Sequence, residues 1–309
     1  MGASGGGRGA AGKGLSGGAG KGLSGAAGNG LSGAAGGKRG EGGKGGADAT
    51  SIEDIRALYE LRVRQEPKYP GALIEKGPHT VRLIEGSRAW LSWSDFGGLA
   101  EEEVDAAIES EIARFRELGL LGDLEWKLFG RDKPGDLRER LAARGFVPKD
   151  PADAILVLDL SDLPSELRSG AGHDLRRLKG RAAFDAMWQV VTEVWPEDAD
   201  DTMRFVEESL AADPEGQSLW IAFADGRPVA EGRVEFACGE FAGLWGGATL
   251  PAYRQRGIYT ALVAARAAEA IERGCRFLTI DASPMSRAVL EKRGFRFLDT
   301  ALECNYLGS

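Results

Sequence analysis

Two arginines and a glycine lie close together in the segment Arg254-Gln255-Arg256-Gly257-Ile258-Tyr259. An apolar stretch at 241–250, which ends before Pro251, precedes it, and an alanine- and leucine-rich stretch at 260–271 follows it. The first stretch predicts a buried strand and the second predicts a helix. A basic, glycine-containing turn between a strand and a helix exposes backbone N–H groups at the positive end of the helix dipole. Such a turn is suited to a pyrophosphate, although an ordinary turn with solvated arginines fits the same six residues.

A second strand and a short helix follow the predicted long helix. The run Phe277-Leu-Thr-Ile-Asp281 has the composition of a strand. Beyond it, Ser283 fits a helix N-cap, Pro284 fits the first turn, and Gly294 fits the helix end. The order strand, basic turn, helix, strand, short helix favours the interpretation of the turn as a phosphate site.

At these residues the chain resembles the GNAT superfamily of N-acetyltransferases, and the resemblance covers roughly residues 175–309. Arg254, Gly257 and Tyr259 occupy the three patterned positions of the family's acetyl-CoA turn, Q/R-x-x-G-x-G/A, with Tyr259 in place of the usual small residue. Residues 289–295 match the family's L-Y-E-K-x-G-F except that Leu290 replaces the tyrosine, a candidate proton donor.

The resemblance implies acetyl-CoA as co-substrate, without a metal. It implies that backbone groups of a central strand contact the pantetheine arm, that the turn binds the pyrophosphate, and that the short helix lies beside the arm. The cofactor-binding residues implied in this way are Ala248, Thr249, Leu250, Arg254, Gln255, Arg256, Gly257, Ile258, Tyr259 and Ser286.

The first part of the chain repeats the same order of elements. A strand-like run at 124–129, then Pro134, then an amphipathic helix ending in Arg-Gly-Phe at 144–146 echo the carboxy-terminal block. We therefore predict an α/β (α+β) protein with a mixed, mostly antiparallel central sheet flanked by helices, in two tandem GNAT-like halves. The alternative is a chance match of common residues. The segment between the strand at 89–93 and the helix at 101–118 is acidic, which predicts a degenerate first half.

Composition divides the chain into three parts. Residues 1–48 are almost all Gly, Ala, Ser and Lys, with an eight-residue repeat at 12–19, 20–27 and 28–35, which predicts a disordered tail. The polar stretch at 161–172 is the predicted boundary. The predicted domains are thus a degenerate GNAT-like domain at 49–165 and an acetyl-CoA-binding GNAT domain at 166–309.

Charge and rare residues exclude several classes of function. The chain has a formal net charge of −8 although its tail carries six basic and only two acidic residues, and so acidic a body disfavours nucleic acid. It is compatible with a cationic amine, or simply with ordinary solubility. The three cysteines and two histidines lack metal-ligand spacing. With no export signal and no apolar stretch that spans a bilayer, we expect a cytoplasmic protein, monomeric or homodimeric, with no membrane partner.

Acetyl transfer to an amine requires a neutral nitrogen, so the site needs a proton acceptor. The candidate catalytic residues are Glu231 and Glu235, which strand alternation places on one face together with Arg233. For each glutamate, a structural ion pair with Arg233 is the alternative. Glu240 and Asp281 are further acids in reach of the same cleft.

The sequence therefore predicts an N-acetyltransferase that transfers the acetyl group of acetyl-CoA to a primary amine of a small molecule or protein, by direct attack in a ternary complex. The alternative is a non-catalytic acyl-CoA sensor or scaffold. The identity of the acceptor does not follow from the sequence.

Overall fold

The computed structural model describes residues 50–69, 71–86, 88–168 and 172–308, so the predicted tail at 1–48 lies outside the described residues. The helices are α1 (Ile52–Tyr59), α2 (Glu101–Glu117), α3 (Leu137–Ala142), α4 (Gly180–Val194), α5 (Ala199–Ala212), α6 (Ile258–Glu272) and α7 (Pro284–Glu291). The strands are β1 (Leu73–Lys76), β2 (Thr80–Glu85), β3 (Arg88–Ser94), β4 (Leu124–Phe129), β5 (Phe146–Pro148), β6 (Asp153–Asp159), β7 (Asp174–Leu178), β8 (Gln217–Ala224), β9 (Arg227–Cys238), β10 (Phe241–Trp245), β11 (Phe277–Ala282) and β12 (Arg296–Tyr306).

All the strands belong to one sheet in the order β1-β2-β3-β4-β12-β6-β11-β10-β9-β8-β7, with β5 paired to β12. Neighbouring strands are antiparallel except for β3–β4 and β10–β11. A long helix joins each parallel pair, α2 in the first half and α6 in the second, as a parallel connection requires. The predicted fold class, a mostly antiparallel mixed sheet flanked by helices, is confirmed.

The two halves exchange strands at the centre of the sheet. β6, which precedes the predicted boundary, lies beside β11 of the second half, with Val157 opposite Thr279. β12, the last strand of the chain, lies beside β4 of the first half, with Glu303 opposite Lys127. β6 and β12 also pair with each other. Each half therefore completes its sheet with a strand from the other.

Helices cover both faces of this sheet. On one face, α2 packs on β3 and β4 through residues such as Ile108 and Phe115, and α6 packs on the second half through residues such as Val263 and Ala267. On the opposite face, α4 and α5 pack on β8 and β9, and α1 packs at the junction of the halves around Ile55. Within the described ranges, no helix is both long and apolar enough to cross a membrane.

The predicted helices and strands are present, and one strand boundary differs. β10 ends at Trp245 rather than at residue 250, because Gly246 and Gly247 adopt positive φ angles of 69° and 92° that an extended strand does not allow. β1 and β7 are edge-side strands that the sequence pattern did not predict.

Candidate functional site

The turn at 254–259 leads directly into α6. Gln255 and Gly257 have φ angles of 62° and 80°, and Gly257 is the N-cap residue without a side-chain cap. The first turn of α6 contains no acidic residue. Within the described chain, the backbone N–H groups of residues 255–260 have no acceptor, and Arg254 and Arg256 are exposed. The turn therefore offers a row of free donors and two cations at the positive end of a helix dipole.

The strands beside this turn separate from each other. β10 and β11 pair only as far as Gly243 and Thr279. Beyond that point the chain follows β9 instead: Ala248 O accepts from Glu231 N at 2.9 Å and Leu250 N donates to Val229 O at 2.9 Å. Because N–H groups alternate between the two edges of an extended chain, Thr249 directs its N–H towards the gap beside β11. The Thr249 hydroxyl oxygen is also buried without a hydrogen bond in the described chain.

Two glycines allow the side chains around this gap to approach the backbone. A Cβ on Gly246 would lie 2.7 Å from Glu231 Oε1, and a Cβ on Gly247 would lie 3.1 Å from the Tyr259 ring. Tyr259 packs against the apolar cluster beneath α6, so its ring points away from the exposed turn. The bulky residue at this family position is accommodated because Gly247 has no side chain.

A cavity of about 620 Å³ lies on the sheet face covered by α1, α4 and α5. The seven strands that are consecutive in the sheet from β3 to β9 all contribute lining residues, so the sheet curves round the cavity and both halves form its wall. Its charged lining residues are five basic and nine acidic: Arg64, Arg88, Lys127, Lys149 and Arg233, against Glu85, Glu125, Asp150, Asp153, Asp213, Glu231, Glu235, Asp281 and Glu303. A cavity with this excess of carboxylates favours cations.

Glu231 lies against the segment at 246–248 that borders the strand gap. Its side chain is 1% exposed, its Oε1 atom accepts from the backbone N–H of Ala248 at 3.4 Å, and its Oε2 atom has no partner in the described chain. Burial raises the pKa of the Glu231 carboxyl, although Arg233 and the Ala248 N–H act in the opposite direction. A raised pKa makes Glu231 a stronger base than an ordinary carboxylate.

Glu235 lies on the same face of β9, as strand alternation predicted, and also lines the cavity. Its Oε1 atom is 3.9 Å from Arg233 Nη1. Burial raises the pKa of Glu235 while Arg233 lowers it. The weak ion pair with Arg233 thus involves Glu235 rather than Glu231.

The structure adds residues from the first half that the sequence did not single out. Lys127 of β4 forms an ion pair with Asp281 of β11, and its ammonium lies 5.8 Å from the Trp245 ring. Burial lowers the pKa of Lys127, but Asp281, Tyr59 and Glu125 outweigh that effect, so the pKa is raised and the ammonium stays charged. Tyr59 also lines the narrow space between β10 and β11. No local signal marks these residues, because only strand exchange brings them to this site.

In the first half, the parallel strands β3 and β4 correspond to β10 and β11, and a side chain of the protein fills the gap where they separate. Arg64, 3% exposed, donates from Nε to Ser92 O at 3.1 Å and from Nη2 to Asp132 at 2.7 Å. It thereby bridges the gap that opens where β3 and β4 separate beyond Leu91 and Trp126. The first turn of α2 carries three glutamates, of which Glu103 accepts from the Ala100 N–H at 2.8 Å. An intramolecular carboxylate thus occupies the helix terminus at which the second half has free N–H groups.

The short helix α7 begins as predicted. Ser283 is its N-cap and accepts from the Ser286 N–H at 3.4 Å, and Ser286 is partly buried. Leu290 is 1% exposed in the apolar cluster beneath α6 and so offers no polar group at the position of the family's tyrosine. Among the described residues, no group of three or more His, Cys, Asp and Glu side chains is arranged to hold a metal ion.

Comparisons with known proteins agree with this geometry. Residues 182–295 match the sequence model of the acetyltransferase (GNAT) family. A GCN5-related N-acetyltransferase from Kribbella flavida has a similar structure, with a TM-score of 0.59 and 17% identity, over 85% of this chain and 98% of that chain. A tandem GNAT protein from the clavulanic acid biosynthesis pathway, solved without acetyl-CoA, has a TM-score of 0.50 and 16% identity, over 82% of this chain and 93% of that chain. No curated protein matches the sequence.

At these identities the structural similarity shows the fold alone, whereas the family match covers the turn, the strand gap and α7. The family supports acyl-CoA-dependent acetyl transfer in general, and its members bind CoA or acetyl-CoA. Residues 182–295 are therefore matched by the acetyltransferase (GNAT) family model, within a chain whose fold is similar over most of its length to that of a tandem GNAT protein.

Proposed function

We propose that this protein transfers the acetyl group of acetyl-CoA to a primary amine of a small molecule or protein, by direct attack in a ternary complex. One observation carries the proposal. The open donor turn and strand gap of the second half adjoin a cavity in which Glu231 presents a buried, unpartnered carboxylate oxygen.

The residues present fit acetyl-CoA. The free N–H groups at 255–260, with Arg254 and Arg256, suit the pyrophosphate. The N–H of Thr249 suits a pantetheine carbonyl, while Ala248 and Leu250 hold that segment against β9. Ser286 borders the same gap from α7 in this proposal. Bound acetyl-CoA supplies a thioester whose thiolate leaving group, with a pKa near ~8.5, departs with little assistance.

The chain's own contribution is to orient the amine and accept its proton. An alkylammonium has a pKa near ~10, so it must lose a proton before its nitrogen can attack a carbonyl carbon. In our proposal Glu231 Oε2 accepts that proton, and Glu235, the partner of Arg233, adds to the negative potential that attracts the ammonium to the cavity. Alignment of the two substrates contributes several kcal/mol to lowering the barrier.

We further propose that the first half, 49–165, is a degenerate partner that shapes the acceptor side, and that 166–309 binds the cofactor. The Arg64–Asp132 bridge and the acid-capped terminus of α2 support this division, since both occupy positions that the cofactor would need.

Calorimetric titration of the full-length protein with acetyl-CoA tests the cofactor site. We expect micromolar binding that weakens at least about tenfold in Arg256→Glu with Gly257→Pro, because the double change reverses one charge and disrupts the donor turn. Arg227→Glu, which reverses an exposed arginine paired with Glu193, is the matched control and should bind normally. Unchanged affinity in the double variant would show that the cofactor site lies elsewhere, and no binding by the wild type would refute acetyl-CoA as a ligand.

The alternative, a non-catalytic acyl-CoA sensor, is favoured by one observation, the buried Leu290 in place of a proton donor on α7. Tight acetyl-CoA binding without release of CoA for any primary amine in a broad panel would favour the sensor. Release of CoA with stoichiometric acetylation of an amine would exclude it.

A further inference from the structure

Two arginines from opposite halves converge in the cavity. Arg88 of β3 lies over the ring of Phe205 at 4.2 Å, measured from Cζ to the ring centroid, and Arg233 of β9 approaches the same ring at 5.9 Å. Both arginines line the cavity, and the charge of Arg233 adds to the effect of burial in lowering the pKa of Arg88. Two guanidinium groups held near one ring form a pair of cations within a generally acidic cavity.

Within the described chain, Arg233 has buried donors that lack acceptors, whereas Arg88 is partly exposed. Arg233 is 7% exposed, its Nε and Nη1 atoms make no hydrogen bond, and its nearest carboxylate oxygen is Glu235 Oε1 at 3.9 Å. Arg88 makes no ion pair in the described residues; burial lowers its pKa, with Glu125, Asp201 and Glu85 acting against that shift from a distance. Buried donors without acceptors are costly, so an anionic ligand at this place would be stabilised.

A second set of unpartnered polar atoms surrounds the arginines. Gln217 is 4% exposed, lines the cavity and has no partner for either Oε1 or Nε2 in the described chain. It lies opposite Glu235 in the β8–β9 register. The Thr202 hydroxyl from α5 is likewise buried and unpartnered on the cavity wall. Arg233, Gln217 and Thr202 thus place buried polar atoms on the cavity wall that have no hydrogen-bond partner in the described chain.

We infer that the acceptor of the proposed acetyl transfer is an amino acid-like molecule, whose carboxylate binds Arg88 and Arg233 while its amine lies at Glu231. The inference rests on the proposed function and adds the substrate class. A planar guanidinium matches a carboxylate in bidentate geometry. A carboxylate fits better than a phosphate because Glu125, Glu231 and Glu235 line the same cavity and repel a dianion more strongly than a monoanion.

The geometry of β9 gives the approximate distance between the residue proposed to bind the amine and one of those proposed to bind the carboxylate. Glu231 and Arg233 are alternate residues of β9, whose Cα atoms are about 7 Å apart in an extended strand. An ω-amino acid with several methylene groups between its amine and its carboxylate spans that distance. The probe 6-aminohexanoate has this form, and hexylamine has the same amine and chain length without the carboxylate.

Calorimetry on the full-length protein saturated with CoA compares 6-aminohexanoate, hexylamine and 5-aminopentylphosphonate. We expect 6-aminohexanoate to bind roughly tenfold or more tightly than hexylamine, because the carboxylate gains charge-assisted hydrogen bonds. Arg88→Gln and Arg233→Gln should reduce this preference to within about twofold, and Arg88→Lys should retain part of it because the charge remains without the fork. Arg227→Gln, outside the cavity, is the control.

Several outcomes would overturn the inference: equal or tighter binding of hexylamine, a preference that persists in both glutamine variants, tighter binding of the phosphonate, or no binding of either amine. CoA binding, measured in the same samples, shows that each variant is folded. Acetylation of hexylamine as fast as 6-aminohexanoate would refute the substrate class and leave the proposed transferase intact, whereas failure to bind acetyl-CoA would refute the transferase itself.

Discussion

Replacing Glu231 with glutamine separates the proton-accepting role of this residue from its structural role. Glutamine keeps an oxygen that can accept from the Ala248 N–H, as Glu231 Oε1 does at 3.4 Å, and it fits the space left by Gly246. It removes the basic oxygen, which is the Oε2 atom that has no partner in the described chain. The change therefore tests the proposed chemistry with little disturbance of packing.

The expected loss follows from the role and the surroundings of each glutamate. General base catalysis contributes on the order of 10²–10⁴ in rate, so we expect kcat of Glu231→Gln to fall by that factor. Glu235→Gln is the matched comparison, since Glu235 lies on the same strand face and is the partner of Arg233. Its kcat should fall by less than about tenfold, because removing this carboxylate changes only the local field.

The assay is the initial rate of CoA thiol release from acetyl-CoA across a pH series, with acetyl-CoA affinity measured in parallel. Burial raises the pKa of Glu231, so the acidic limb of the wild-type profile should lie above the ordinary carboxylate range near ~4.3. The rate falls below that pKa because a protonated carboxyl accepts no proton. Glu231→Gln should lose this limb. A variant with near wild-type kcat and an unchanged pH profile would refute the assignment.

The same substitution, which should lower kcat, should increase the stability of the fold at neutral and alkaline pH. A carboxyl whose folded-state pKa is raised stabilises the fold below its unfolded pKa and loses that contribution as the pH rises through the folded pKa. Ionised Glu231 therefore destabilises the folded state at neutral pH. We expect Glu231→Gln to raise Tm at pH 8 relative to the wild type and to change it little at pH 4, measured by thermal unfolding.

Three further predictions concern the fold. A chain beginning at residue 166 should show no cooperative unfolding transition by circular dichroism, because it lacks β6, whereas the full chain should show one. Glu269→Ala should lower the free energy of unfolding by about 3 kcal/mol in urea titrations, because it leaves Arg177, Ser218 and Trp220 without their shared carboxylate; a loss under ~1 kcal/mol would contradict this. Gly246→Ala should lower it by at least about 1 kcal/mol, since its φ is 69° and its Cβ would meet Glu231.

Local patterns were sufficient to predict the elements of the second half except β7. The alternation of Glu231, Arg233 and Glu235 correctly predicted that all three share one face of β9, because strand periodicity depends only on neighbouring residues. The helix after the turn was predicted within two residues at its start, since the apolar spacing is regular. The end of β10 was wrong, although Gly246-Gly247 is itself a loop signal.

The composition of the site could not be predicted, because it depends on which strands pair over long separations. Lys127 and Asp281 are 154 positions apart in the sequence. They meet because β12 and β6 join β4 and β11 into one curved sheet, so that both side chains face the same cavity. Arg88 follows a short turn and has no motif around it, yet it reaches the ring of Phe205 from the other half. The proposed cofactor site thus has a local signature in the sequence, whereas the proposed acceptor site depends on the assembled sheet.

The exchange of β6 and β12 has a consequence for how this chain is made. The core of the first half includes Leu302 and Cys304 of β12, residues that are synthesised after all the other strands of both halves. Lys149 and its partner Glu303 are separated by 154 positions, so contacts of the first half form across nearly half of the chain. The amino-terminal half therefore cannot finish folding until β12 has been synthesised, whereas a sequential domain could fold before the second half is made. A chain cut before β12 would lack the neighbour of β4 in the first half and of β6 at the junction with the second half.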